Sequence, residues 1–340
     1  MELEFAQSIL SNFGLKEPIV SIKRVESGLI NSTLVLISKT NSYILQAINT
    51  NIFPNYEKGL ENILTVGNWL KSKNYSYSFP LPINGQYLKV ENEVWRLMPY
   101  VKNSMSYNRV SSLNQVKSAA NCLGEFYHHL SDFNTEILSI TLPNFHNGNS
   151  ITKKFEEALL NCDKERLLLT KSLTNEIVKE LPILKKWDEV CNSLPIRVVH
   201  YDTKINNFLF DKKTDEVLAL IDLDTLMPGC VLSDIGDMIR TYSNPLGEES
   251  KEIEKVICNM EVINTIIQAF TNKAALQKEE IENLFFGGMA ITLMQSVRFL
   301  TDYLNRDSYY KTSYKDQNLV RVKNQWALYK SLRNNLKPPS

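Results

Sequence analysis

The sequence predicts an α+β chain of two lobes, a small β-rich amino-terminal lobe and a larger helical lobe with one β-hairpin buried among its helices. Three observations predict it. Short β-branched runs separated by turn residues fill the first hundred positions, apolar residues at helical spacing dominate after Lys102, and a strand–turn–strand pattern interrupts the helices around positions 208–222. At 340 residues the chain is long for one core and suits such a division. Residues 1–98 read as the β-rich lobe, 99–102 as a connector and 103–340 as the helical lobe.

In order, Ile19 to Glu26 and Thr33 to Ser38 read as strands, with Ser27-Gly28 opening the turn between them, and Tyr43 to Ile48 as a third. Tyr56 to Lys73 carries Leu60, Ile63, Leu64 and Leu70 on one helical face. Two short strands follow, Gln86 to Val90 and Val94 to Met98, separated by Glu91-Asn92. Ser112 with Gln115 three residues later is a capping-box start. Positions 116, 119, 120, 123, 127 and 130 then form one stripe. Further helices are expected at 152–170, 173–191, 249–272, 278–305 and 317–334. The hairpin consists of Phe208 to Phe210, the polar turn Asp211 to Glu216, and Val217 to Asp222. There is no internal repeat and no low-complexity segment.

Composition narrows the function. Thirty-eight basic residues balance 38 acidic ones, so no global positive field attracts nucleic acid or an anionic membrane. The opening MELEFAQSILSNFG is acidic where a secretory signal is basic, and the most apolar later stretch, Phe285 to Val297, is short for a bilayer and meets Arg298. Cys122, Cys162, Cys191, Cys230 and Cys258 are odd in number and lack metal-ligand spacing, as for thiols in a reducing compartment. The expectation is a cytoplasmic protein with neither a nucleic-acid nor a membrane partner.

The chemistry concentrates in His200-Tyr201-Asp202-Thr203-Lys204-Ile205-Asn206-Asn207, which matches the kinase catalytic-loop pattern H-x-D-x-K-x-x-N. The loop leaves the apolar run Ile196 to Val199 and turns, so that Asp202 faces a cleft and Asn207 returns to the same side as the next strand begins. Asp202 then accepts the hydrogen bond of an attacking hydroxyl. Lys204 offsets charge on a transferring phosphoryl group, and the Asn207 amide oxygen reaches a metal. A hairpin later, Asp222 ends a buried apolar strand, where an unpaired carboxylate is costly and Mg²⁺ resolves the cost. A capped turn is the plain alternative for Asp222. Asp224 remains open between metal ligand, substrate contact and structural acceptor. His128, His129 and His146 show no triad or metal spacing.

The run HYDTKINNFLFD…LALIDLDTLMPG…SDIGDMIR resembles the aminoglycoside phosphotransferase and choline kinase superfamily, whose protein-kinase-like two-lobe fold binds nucleotide between the lobes. T-K-I-N-N and I-D-L-D-T-x-M-P-G, together with YILQAIN, LPNFHN and RFLTDYLNRDSYY, are most similar to its N-acetylhexosamine 1-kinase branch, from about residue 18 to 333. The resemblance implies ATP and Mg²⁺, with the γ-phosphate passing to the anomeric hydroxyl of a free N-acetylhexosamine. It places Asp202 as general base, Asn207 and Asp222 as metal ligands, and Arg298 and Tyr309 at the sugar. Read as residues, Arg298 is equally an ion-pair partner of Asp302 and Tyr309 a partly buried aromatic.

Two departures stand out. Gln46 occupies the third-strand position of the kinase phosphate-binding lysine, a candidate donor to a phosphate oxygen without charge, leaving Glu57 and Glu61 as candidate helix carboxylates or plain surface. The loop Ser27 to Ser32 has a single glycine, so Gly28 and Ser32 are weak phosphate-covering candidates, and a hairpin turn fits equally. Adenine is expected on the connector backbone Met98-Pro99-Tyr100-Val101, where strand pairing ends. The short M-P-G turn after Asp222, with no A-P-E in that region, points to a small acceptor rather than a protein. Aminoglycoside, choline, methylthio-sugar or homoserine phosphorylation, or an inactive nucleotide-binding regulator, are the rival readings.

Overall fold

The computed structural model describes residues 3–25 and 30–336. The small lobe holds α1 (Leu3–Asn12), β1 (Ile19–Val25), β2 (Ser32–Ser38), β3 (Ser42–Ile48), α2 (Tyr56–Ser72), β4 (Leu88–Val90) and β5 (Glu93–Pro99). Its strands form one antiparallel sheet in the order β1-β2-β3-β5-β4. The two-residue alternation of strands sorts the faces. Leu36, Leu45, Trp95 and Leu97 pack against Ala6, Ile9, Leu10 and Phe13 of α1 and the turn after it. Residues of the opposite parity, among them Thr33, Val35, Ile44, Gln46, Arg96 and Met98, line the cleft. Helix α1 is absent from the sequence expectation, and covering the outer apolar face of the sheet is what it does. The expected turn residues Ser27 and Gly28 lie outside the described residues.

The large lobe runs β6 (Ser104–Met105), α3 (Leu113–His129), α4 (Gly148–Asn161), α5 (Lys164–Glu180), α6 (Pro182–Ser193), β7 (Arg197–Val199), β8 (Phe208–Asp211), β9 (Val217–Leu220), β10 (Met227–Gly229), α7 (Leu232–Tyr242), α8 (Met260–Thr271), α9 (Lys278–Glu282), α10 (Leu284–Leu304) and α11 (Gln317–Asn335). The expected hairpin is β8–β9, extended by β6, while β10 pairs with β7. These two small sheets bracket the segment between Val199 and Phe208.

Caps explain where helices differ from expectation. The two helices expected over 152–191 are three, because Asp163 caps α5 through the N–H groups of Glu165 and Arg166, and Pro182 starts α6. The helix expected from 249 begins only at Met260, where Asn259 accepts from Glu261 and Val262 N–H. Ser112 does cap α3, receiving the Gln115 N–H at 3.2 Å, but the Gln115 side chain returns to the Ser111 N–H at 3.0 Å. Helix α10 outruns the Phe285–Val297 stretch and is long and apolar enough by composition to cross a membrane, yet 78% of its most apolar window is buried inside the fold. It packs against α4, α7 and α11, which accounts for its apolarity.

Candidate active site

The segment between β7 and β8 is fixed from below. His200 is fully buried, with Nε2 bonded to the Ile221 carbonyl at 2.9 Å and Nδ1 receiving the Asp202 N–H at 3.3 Å. Tyr201 takes a left-handed φ of 67°. That strained backbone is held by Asp234 at the start of α7, whose carboxylate receives the N–H groups of His200 at 2.9 Å and Tyr201 at 2.6 Å. Tyr127 Oη donates to the same carboxylate at 2.9 Å, and Thr203 Oγ1 donates to the Asp234 carbonyl at 2.6 Å. Burial raises the Asp234 carboxyl to about 6 although these donors favour the ionised form. In the sequence SDIGDMIR stands only as part of the run that carries the family resemblance, and Asp234 has no role assigned there. A carboxylate in the first turn of α7, between Ser233 and Ile235, is the available signal.

Asp202 rises into the cleft. Its carboxylate pairs with Lys204 Nζ at 3.1 Å and accepts the Asn207 amide N–H at 2.9 Å. Burial pushes its carboxyl up, but Lys204, first among the opposing groups, and the Asn207 amide outweigh burial and hold it below its ordinary value. The same carboxylate raises the Lys204 ammonium. Asn207 spends its amide nitrogen on Asp202, with the backbone carbonyl at 2.7 Å. Among the described residues nothing donates to its amide oxygen, the atom a metal needs.

Asp222 sits at a left-handed φ of 63° between β9 and a short 3₁₀ turn. Its side chain opens into the cleft, and among the described residues no hydrogen bond or ion pair reaches it. Depth in the protein, then the charges of Asp224 and Asp202, raise its carboxyl to about 7. Cleft water moderates that rise, and a divalent cation reverses it. Two oxygen donors, Asp222 and Asn207, therefore fit a hard cation. Among the described residues no group of three or more His, Cys, Asp or Glu side chains holds an ion unaided. Phosphate oxygens complete such a site.

Asp224 takes a different role from the substrate contact expected. It is buried, and its carboxylate is gripped by the Arg96 guanidinium, with Nη2 to Oδ2 at 2.9 Å, and by Asn31 Nδ2 at 2.7 Å. Of the three roles left open, the structure gives it structural acceptor. Arg96 is the cation that sequence reading missed. It stands on β5 directly across from Gln46 on β3 and donates to the Gln46 side-chain oxygen at 2.8 Å. Glu57 and Glu61 are exposed on α2 and reach neither residue, whereas Asn62 is the inward polar group of that helix.

The elements converge on one cavity of about 780 Å³ between the lobes. Met98 and Tyr100 line its small-lobe side, and Tyr100 and Val101 follow the end of β5 at Pro99. Ser32 is exposed and lies outside the lining, where Asn31 and Thr33 appear instead, while Gly28 lies outside the described residues. On the far side of Asp202 the cavity continues between the loop at Phe145, α7, α10 and the turn before α11. Arg298 reaches in from α10, its guanidinium 5.2 Å over the Phe145 ring and 5.8 Å over the Tyr310 ring. It does not pair with Asp302, which accepts the backbone N–H groups of Tyr309 at 2.7 Å and Tyr310 at 2.9 Å. Tyr309 is 57% exposed at the rim rather than partly buried, and Tyr310, bonded to Gln295 at 3.2 Å, is the inner aromatic. Asp237 is 5% exposed, gives Oδ1 to Arg240 at 2.8 and 3.0 Å, and leaves Oδ2 without a partner among the described residues.

The chain is similar to known proteins. A family model described as the phosphotransferase enzyme family matches residues 21–254. An aminoglycoside phosphotransferase from Alicyclobacillus acidocaldarius superposes with a TM-score of 0.61 at 14% identity, covering 92% of each chain. A microcompartment-associated aminopropanol kinase gives 0.62 at 12% identity, covering 98% of this chain and 97% of its own. A choline kinase from Streptococcus pneumoniae gives 0.58 at 12% identity over 97% and 98%. At these identities the likeness is one of fold.

Proposed function

The chain belongs to the phosphotransferase enzyme family, and from that membership we propose that it moves the γ-phosphoryl group of ATP to the anomeric hydroxyl of a free N-acetylhexosamine. Transfer to a small molecule is the family's chemistry. The sugar is the finer step, and one observation carries it. Choline and other cations need open aromatic faces or an acidic pocket. Here the Arg298 guanidinium covers the faces of Phe145 and Tyr310. The cavity as a whole sets Arg96, Lys204, Arg240, Arg298, Lys311 and Arg321 against Asp202, Asp222, Asp224, Asp237 and Glu248, so it holds no excess of acid to draw a cation. Such a pocket suits a neutral polyol with carbonyl and hydroxyl groups for a guanidinium to hold.

In this reading adenine pairs with the backbone at Met98 to Val101, and the phosphates run toward Asp202. The anomeric hydroxyl donates to the Asp202 carboxylate, which receives its proton as the oxygen bonds phosphorus and ADP leaves. Lys204 holds Asp202 ionised and offsets charge on the moving phosphoryl oxygens. Asn207 and Asp222 would hold Mg²⁺, which supplies neutralisation of the nucleotide's phosphate charge. Arg298 and Tyr310 orient the sugar.

The test is phosphate transfer from ATP to N-acetylglucosamine, N-acetylgalactosamine, choline and an aminoglycoside side by side. The expected result is preferred turnover of an N-acetylhexosamine with loss of its reducing end. Preferred turnover of choline or the aminoglycoside refutes the acceptor.

A further inference from the structure

The protein lacks a lysine where this fold expects one, yet the phosphates of a nucleotide carry several negative charges. Gln46, at that position, brings no charge to the cleft. The missing charge stands one strand away. Gln46 and Arg96 are directly paired residues of adjacent antiparallel strands, so their side chains leave the same face of the sheet and touch. Arg96 is 3% exposed, and both residues line the cleft.

The donors of Arg96 can be accounted for individually. A guanidinium has five N–H groups. Nε–H goes to the Gln46 oxygen at 2.8 Å, Nη1 to Tyr87 Oη at 3.2 Å and to Asp224 Oδ1, and Nη2 to Asp224 Oδ2 at 2.9 Å. One Nη2 hydrogen has no partner among the described residues. Gln46 is fixed in turn, its amide nitrogen donating to Thr33 Oγ1 at 2.9 Å. The pair therefore spans the lobes. Arg96 belongs to the small lobe, and Asp224 follows Asp222 by two residues in the large one. Asp222 and its left-handed backbone are thus tied to the sheet through Asp224, a conformation that needs such support.

We propose that Arg96 is the small-lobe cation of the nucleotide site, replacing the lysine absent at Gln46, presenting its remaining N–H to the nucleotide's phosphates and setting Asp222 in place through Asp224. In a lysine–glutamate kinase pair both charges come from the small lobe. Here the acidic partner comes from the metal-side loop, so closing the lobes and placing the metal loop are one event. The proposal rests on the phosphotransferase reading and is independent of the acceptor.

Binding measurements without acceptor test it, comparing ATP with adenosine at fixed Mg²⁺ by calorimetry. Arg96→Gln is expected to weaken ATP by about tenfold or more, the size of a lost charged contact, and to leave adenosine within about twofold. The exchange variant Gln46→Lys/Arg96→Gln is expected to regain most of the ATP affinity. Removing one member of a buried ion pair threatens folding. Arg96→Gln/Asp224→Asn removes both charges, keeps the fold and is expected to show the same selective loss of ATP. Unchanged ATP affinity, or ATP and adenosine weakening in step, overturns the proposal, because a pair that only holds the fold together does not separate the two ligands. An exchange variant as weak as Arg96→Gln alone overturns the claim that positions 46 and 96 serve one site.

Discussion

Truncating Arg298 to alanine separates a sugar-binding residue from a helix brace. Its guanidinium rests over Phe145 and Tyr310, and among the described residues its one side-chain hydrogen bond is a long 3.3 Å contact to Gln295. Asp302, the carboxylate one turn on, is spent on the Tyr309 and Tyr310 backbone and on Asn318. Most of the five donors are therefore free for a ligand. Two partly desolvated cation–π contacts are worth about 0.5–1 kcal/mol each. In a chain of this size that corresponds to a fall in Tm of only a few degrees. A charged hydrogen bond to the acceptor is worth about 1.5–3 kcal/mol, or roughly 10- to 150-fold in kcat/KM for the sugar. The assay is steady-state kinetics with each substrate varied in turn, with a melting curve on the same preparation. The expected result is a sugar kcat/KM lowered within that range, an ATP KM within about twofold, and a slightly lowered Tm. Arg298→Lys, which keeps the charge and loses the fork, should recover only part of the activity. A large fall in Tm with sugar kinetics at wild-type values removes Arg298 from the acceptor site.

Four other expectations follow from the same geometry. Asp202→Asn should lower turnover by about 10²–10⁴-fold while ATP still binds, and turnover within a few-fold of wild type removes it as the base. Asn207→Ala and Asp222→Ala should each raise the Mg²⁺ concentration needed for half activity. Because desolvation, then the charges of Asp224 and Asp202, raise the Asp222 carboxyl without metal, proton competition should weaken Mg²⁺ progressively as pH falls below neutrality; flat Mg²⁺ curves across pH in the wild type contradict this. In the metal-free protein its folded value lies above the unfolded one, so this group costs stability above pH 7 and the cost fades as pH falls toward 4. Asp222→Asn should remove that slope in denaturant melts. Asp234→Asn keeps one acceptor for two backbone N–H groups, so it should cost about 1.5–3 kcal/mol and lower kcat by displacing the loop at Tyr201; unchanged kcat denies it that positioning role.

What the sequence determined by itself is what depends on local pattern. Strand alternation in Thr33 to Ser38 and Tyr43 to Ile48, the Ser112 cap, the buried hairpin and the spacing from Asp202 to Asn207 and Asp222 are each encoded within one short contiguous segment. Spacing of that kind fixes which side chains share a face before any long-range contact forms. The helix starts marked by the caps Asp163 and Asn259 and by Pro182 at a first helical position lie in the sequence too, but apolar periodicity runs through them and hides the breaks. Tertiary structure decided everything that joins distant segments. Asp224 reads identically in sequence as ligand or acceptor, and only the arrival of Arg96, 128 residues earlier, makes it an ion-pair partner. Likewise, Arg298 meets two aromatic rings instead of Asp302, whose carboxylate is occupied by the Tyr309 and Tyr310 amides of the turn after α10. Charge partners are chosen by which elements pack together, and sequence neighbours compete for them with no advantage beyond proximity.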